Sequence, residues 1–293
     1  MSKLYPKVLL FSKGVLMGLA DIVPGVSGGT MALITGIYED LIFSINSIEP
    51  IAILSSLVKR DFDRFKKLLT KIELVFLINL GLGIIIAIFL ASKLIIYALN
   101  FFPTYTYSFF FGLILVSAIK IYERIDGQKG FYPILFLIIG IVFAFLVTGL
   151  EKLGLLHTPI IIFFSGALAV LAMVLPGISG SFILLIIGQY EYMLNTLHNL
   201  STRFLEASLF VFGAILSLFA FTDALSFILK KYKRKTLAFL TGLMIGALRL
   251  PGSKLIYAEQ IFQKINFKWN IVTISSTIIF FLIGSIFVFV IEK

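Results

Sequence analysis

Apolar runs separated by short polar joints fill this 293-residue chain, and ten of them fall at 7–23, 27–46, 74–98, 104–121, 131–150, 159–175, 179–198, 205–229, 236–250 and 271–291. A spanning helix needs about 20 apolar residues, so the pattern predicts an all-α polytopic membrane protein. The runs at 7–23, 27–46, 159–175 and 179–198 are short or carry charges: Lys13, Asp21, Glu39, Asp40 and Glu191. They predict half-helices folded into two re-entrant hairpins, a backbone permitted at membrane depth only where protein buries it or water lines it. Two ordinary kinked helices at each place are the other reading.

The chain repeats itself. GLADIVPGVSGGTMALITGIYEDLI starts at Gly18, and VLAMVLPGISGSFILLIIGQYEYML starts at Val170. Between Ala20 and Glu39, half of the positions hold the same residue 152 places later. FFFGLILVSAIK, from Phe109, is echoed by FLTGLMIGALRL, from Phe239, at an offset of 130. The first half therefore holds an insert, placed at 50–73, where Leu54, Leu57, Val58, Phe62, Phe65, Leu68 and Leu69 follow helical spacing among basic residues. It predicts one amphipathic helix on the cytoplasmic surface. The expected organisation is one membrane domain of two repeats, 1–150 and 151–293, each a re-entrant hairpin plus three transmembrane helices.

Charge gives the orientation. The clusters Lys59–Lys71 and Lys230–Lys235 fall on the same side as Lys3, Lys7, Lys13, Lys120, Arg124, Lys129 and Lys293. The other side receives Lys152, Arg203, Arg249, Lys254, Lys264 and Lys268, and Lys93 snorkels from within a run. The positive-inside rule then puts both termini in the cytoplasm and inverts the halves. The net charge of +10 is thus a topogenic signal facing anionic headgroups, and no nucleic-acid partner is expected. Composition agrees: 59% hydrophobic, 14% charged, mean hydropathy +1.06. No cysteine and only two histidines leave no disulfide and argue against a histidine-rich metal site. Lys3 and Lys7 before VLLF imitate a signal peptide, but cleavage would cut into the repeat, so the segment is expected to stay.

The chemistry sits at the breaks Pro24-Gly25 and Pro176-Gly177. Ser27, Gly28, Gly29 and Thr30 open one following helix; Ser179, Gly180 and Ser181 open the other. Helix N-termini with free N–H groups, glycines and hydroxyls favour phosphate or carboxylate. Plain capping and close packing is the alternative. Asp21, expected beside the free carbonyls ending the first half-helix, suits a proton or Na+; its counterpart is Met173. Glu39 and Glu191 follow Gly28 and Gly180 by 11 residues, on the same face of a continuous helix and near opposite membrane surfaces, as gates or as interface anchors. Asp223 is placed on the path, and Arg249 is a guide for an anionic head or a helix anchor.

Both motifs, with FFFGLILVSAIK and FLTGLMIGALRLPG, resemble the DUF368 family of bacterial membrane proteins, the polyprenyl-phosphate transporters, along essentially the whole chain. The resemblance implies a flippase of the cytoplasmic (plasma) membrane that returns undecaprenyl phosphate from the outer to the cytoplasmic leaflet, for carrier-lipid recycling in cell-wall synthesis. It implies no cofactor beyond a coupling H+ or Na+ and leaves the oligomeric state open. Gly18-Leu19-Ala20-Asp21 and Pro176-Gly177-Ile178-Ser179-Gly180-Ser181 are also similar to the motifs of undecaprenyl-pyrophosphate phosphatases. There, however, Gly180 stands in place of the catalytic arginine, one acid of the pair is absent, and no histidine follows. Transport without catalysis is therefore expected, with the phosphatase and a small-anion permease as rivals.

Overall fold

All ten apolar runs become helix in the computed structural model, which describes residues 6–23, 26–125, 130–261 and 268–291. Pro24, Gly25, Lys3, Lys129, Lys264 and Lys293 lie outside the described residues. The first half runs α1 (Lys7–Ile22), α2 (Gly28–Ile34), α3 (Tyr38–Asn46), α4 (Pro50–Val58), α5 (Phe62–Lys71), α6 (Leu74–Phe101), α7 (Pro103–Glu123) and α8 (Phe131–Val147). The second runs α9 (Pro159–Val174), α10 (Gly180–Ile186), α11 (Tyr190–His198), α12 (Phe204–Ala247), α13 (Arg249–Ile256), α14 (Ala258–Ile261) and α15 (Ile271–Ile291). Among the described residues, five helical stretches are long and apolar enough to cross a membrane, and α8 and α9 are shorter apolar helices. The protein is an all-helical polytopic membrane protein.

Corresponding places in the two halves have matching geometry. Phe102 turns the corner between α6 and α7 at φ −131° and ψ 45°. Tyr232, 130 residues on, breaks α12 at φ −132° and ψ 39°. α12 is therefore two arms about a corner, as α6 and α7 are. α1 lies parallel to α6, with Gly14 against Leu80 and Gly83, and Gly18 against Ile84 and Ala87. α9 lies on the first arm of α12 in the same way, with Gly166 against Phe210 and Ser217 donating to the Ala167 carbonyl at 3.1 Å.

The last helix of each half crosses over to the other half. α15 packs on α7, and α8 packs on the second arm of α12. Close approach at these crossings depends on glycine: a Cβ on Gly112 would strike the Phe281 carbonyl, and one on Gly242 the Leu137 carbonyl. Lipid offers no hydrophobic drive for helix pairing, so small residues and interhelical hydrogen bonds carry it. One such bond runs from the Ser108 hydroxyl to the Thr277 carbonyl at 2.7 Å.

The 50–73 insert departs from expectation. It forms two helices, α4 and α5, not one. Arg60 adopts φ 55°, which ends α4, and Asp61 caps α5 by accepting from the Arg64 N–H at 3.0 Å. Ile51, Leu54, Leu57, Val58 and Phe62 are exposed.

Candidate functional site

The first break is closed on itself. Ser27 caps α2, accepting from the Gly29 N–H at 3.1 Å. The Gly28 N–H donates to Oδ1 of Asp21 at 2.6 Å. This corrects two expectations: those N–H groups are not free, and Asp21 caps α2 rather than facing the carbonyl end of α1. The reason is local. The chain folds α2 back along α1, and a buried N–H at a helix start takes the nearest acceptor. At the far end of α2, Lys13 donates to the Thr35 carbonyl at 2.7 Å, a cation at a helix C-terminus.

The same motif grips the second one. α9 ends at Val174, and its last carbonyls have no partners within the helix. Ser27 donates toward the Met173 and Leu175 carbonyls at 3.3 and 3.4 Å. The Tyr38 hydroxyl donates to the Val174 carbonyl at 3.1 Å. Thr30 accepts from the Gly177 N–H at 2.8 Å. Ser27 and Thr30 are both 0% exposed, so in this conformation they hold one break to the other.

The second motif makes more local bonds. Ser179 caps α10, accepting from the Phe182 N–H at 3.3 Å, and its hydroxyl lies 2.7 Å from that of the half-buried Ser181. Pro176 and Gly177 form the turn, where Gly177 takes φ +87° against the Leu243 carbonyl. Met173 stands where Asp21 stands in the first copy. A Cβ on Gly28 would come 2.6 Å from Asp21 Oδ2, and one on Gly180 would come 2.8 Å from Met173 Cγ. The two sites thus share a shape and differ in charge.

Neither second arm is continuous, so Glu39 and Glu191 do not share a helix face with Gly28 and Gly180. Gly36, at φ 70°, ends α2 in a Schellman cap: Ile37 N–H donates to the Ala32 carbonyl and Gly36 N–H to that of Leu33. Gly188, at φ 77°, ends α10 likewise, through Gln189 to Leu184 and Gly188 to Leu185. Each glutamate therefore lies on a new helix after a turn. Glu39 is held by Lys233 at 2.8 Å. Glu191 is exposed near His157, which stacks on Tyr192 at 4.0 Å and sits 2.9 Å from the buried Gln189 side chain.

Two apolar clefts flank the motifs, and seven wall positions of one have a counterpart in the other. One, of about 340 Å³, is lined by Ile95, Thr106, Phe109 and Phe110 with Phe280, Ile283 and Phe287 of α15, and reaches Ala20 and Met31. The other, of about 560 Å³, is lined by Leu225, Thr236, Phe239 and Leu240 with Phe136, Ile139 and Phe143 of α8, and reaches Leu175. Lys235 and Tyr232 stand only in the second set.

Arg249 is not brought to the motifs. It stacks on the Phe145 ring at 4.3 Å and donates to the Phe145 carbonyl at 2.7 Å, at the end of α8. Asp223 lies on an exposed face of α12, outside both clefts, and Lys93 is also exposed. Residue reading missed Lys13, Tyr38, Gln189 and Lys233 as partners of the motifs. Tyr38 and Gln189 lie within the aligned repeat, but only Tyr38 has an identical counterpart, Tyr190.

Paired helix breaks, held together across the two halves and each opening beside an apolar cleft, define a membrane protein of transporter architecture. The chain belongs to the family described as undecaprenyl phosphate translocase-like, which it matches over residues 17–264. It is 44% identical over 238 residues to a polyprenyl-phosphate transporter of Vibrio cholerae serotype O1, covering 81% of this chain and 75% of that one. It is 32% identical over 254 residues to a polyprenyl-phosphate transporter of Staphylococcus aureus, covering 80% and 83%. No solved structure matches it significantly.

Proposed function

We propose that this protein is a flippase that carries undecaprenyl phosphate from the outer to the cytoplasmic leaflet of the bacterial plasma membrane by alternating access, without hydrolysing it. The observation that carries the reading is the pair of corresponding apolar clefts, each running to one motif. A polyprenyl chain is apolar and long; it stays in lipid or lies in a lateral cleft while the head crosses. The phosphate binds at the joined breaks, where Ser27–Thr30 meet the turn after α9 that leads into Ser179–Ser181.

The halves are read as inverted repeats, 1–150 and 151–293, with α1–α2 and α9–α10 as re-entrant hairpins. Parallel packing of α15 on α7 and of α8 on α12 supports inversion. A last helix parallel to the fourth helix of the other half requires the two fourth helices to run oppositely. Both termini are then cytoplasmic, with the lysine-rich corner at Tyr232 on the same side.

Coupling runs through Asp21. An ionised Asp21 already occupies the Gly28 N–H, so an incoming phosphate competes with it. A proton or Na+ that neutralises Asp21 releases that seat and offsets the membrane potential, which opposes inward anion movement by about 2.3 kcal/mol per charge per 100 mV. Catalysis is not expected, because Gly180 offers no clamp for a transferring phosphoryl group. The test is translocation of polyprenyl phosphate in proteoliposomes, with release of inorganic phosphate from the pyrophosphate followed in parallel. Lipid movement without phosphate release supports the reading; phosphate release from the pyrophosphate contradicts it.

A further inference from the structure

The two apolar clefts differ at their mouths. In the cleft between α8 and the second arm of α12, the half-buried Lys235 ammonium lies over three rings: Tyr132 at 4.5 Å, Tyr232 at 5.4 Å and Phe136 at 5.9 Å. Among the described residues no carboxylate or hydrogen-bond acceptor meets it, whereas the nearby Lys233 is held by Glu39. Lys235 is the one charged group among the described residues that line this cleft; Tyr232 and Thr236 add hydroxyls, and the rest of the wall is apolar. The position 130 residues earlier is Tyr105, beside the cleft of α7 and α15, and its ring stacks on Phe102 at 6.4 Å and on Phe280 at 5.4 Å. Phe102 and Phe280 stand where Tyr232 and Phe136 stand in the other half. The same corner thus carries a neutral ring stack in one half and an ammonium in the other.

We propose that the α8–α12 cleft is the lateral door through which a prenyl lipid with a phosphate head leaves the joined breaks, and that Lys235 takes the head there. An ammonium carries three N–H donors, and ring faces attract its charge without accepting a strong hydrogen bond. A phosphate oxygen supplies both the opposite charge and the acceptor. The apolar wall behind Lys235 is the surface that the tail covers. The cleft is continuous with the breaks: it reaches Leu175, whose carbonyl accepts from Ser27 at 3.4 Å. A head released from the breaks therefore reaches the corner while its tail stays in one cleft. This continuity favours the carried lipid over a surrounding phospholipid. A lysine that merely snorkels would be indifferent to what fills the cleft. The identity of the lipid and its direction of travel rest on the transporter reading; the charged door rests on the cleft itself.

The probe is farnesyl phosphate with a diazirine on its tail, and the matching farnesol is the uncharged control. Both are photo-crosslinked, below saturation, to the full-length protein in phosphatidylcholine nanodiscs, and the crosslinked peptides are located by mass spectrometry. Crosslinks are expected on α8 and α12, with the phosphate about tenfold above the alcohol, the scale of one hydrogen bond to a charged group. Lys235→Gln is expected to bring the phosphate down to the yield of the alcohol, and Lys235→Arg to keep the difference. Tyr105→Lys gives the other mouth an ammonium and is expected to raise the phosphate above the alcohol on α7 and α15. Equal yields for phosphate and alcohol in the wild-type protein overturn the proposal, as does a preference for phosphate that survives Lys235→Gln. Loss of crosslinking when phosphatidylglycerol is added to the discs also overturns it, because the cleft then belongs to ordinary anionic phospholipid. Translocation of polyprenyl phosphate by the same wild-type protein is measured alongside. Charge-dependent crosslinking without translocation sinks the transporter reading and spares the door; translocation without such crosslinking does the reverse.

Discussion

The two motifs share half of their residues and do different work. The first is locked: Asp21 and Ser27 cap its N–H groups, and Ser27, Thr30 and Tyr38 reach across to the second. The second supplies the carbonyls and the N–H that are gripped, while Ser179 and Ser181 bond to each other. A duplicated hairpin provides a shared shape, and the unmatched side chains on it decide which copy holds and which is held. Asp21 against Met173, and Thr30 against Phe182, are the positions where this shows.

The largest break in the comparison comes from the shared scaffold. Gly242→Leu forces a side chain into the Leu137 carbonyl and should cost about 3 kcal/mol by overpacking, read as a fall in thermal unfolding temperature in detergent. Gly112→Leu should match it, because the Phe281 carbonyl stands in the same relation to it. A large difference between the two would show that the halves do not share their packing.

Next comes the unequal acid. Asp21→Asn should keep the fold but remove the dependence of translocation on pH or Na+, with a loss of driving force of about 2.3 kcal/mol per 100 mV. Met173→Gln, at the matching place, should leave ion dependence intact. Flux assays across imposed gradients check both, and an unchanged ion dependence in Asp21→Asn would refute coupling through this residue.

The bonds between the motifs are smaller effects. Thr30→Val leaves the buried Gly177 N–H without its acceptor and should cost about 1–3 kcal/mol in equilibrium unfolding. Smaller still, Tyr38→Phe removes one hydrogen bond to the Val174 carbonyl, worth about 1 kcal/mol. Tyr190→Phe, its counterpart, should change stability less, which sharpens the claim that only the first copy grips.

Much of this was legible in the residues. All ten apolar runs became helix, the offset of 152 aligned the two breaks, and the offset of 130, read from Gly112 and Gly242, also relates the corners that the structure shows at Phe102 and Tyr232. Three features were not legible, for physical reasons. The exchange of α8 and α15 depends on Gly140 and Gly284; α8 is almost wholly apolar, and the hydroxyl residues of α15 do not mark which helix they meet. The ends of α2 and α10 depend on the positive φ of Gly36 and Gly188, while the flanking apolar residues continue a helical period across the break. The seating of Asp21 on Gly28 arises because a hairpin returns α2 alongside α1, a proximity that spacing alone does not give.

The central claim is inward movement of a polyprenyl phosphate through the two joined motifs. Its most direct test is display of undecaprenyl phosphate on the outer leaflet of cells with the protein, without it, and with Ser27→Ala combined with Ser179→Ala. The account predicts low display with the wild-type protein, and accumulation both without it and with the double variant at equal membrane abundance. Equal display in all three would contradict it.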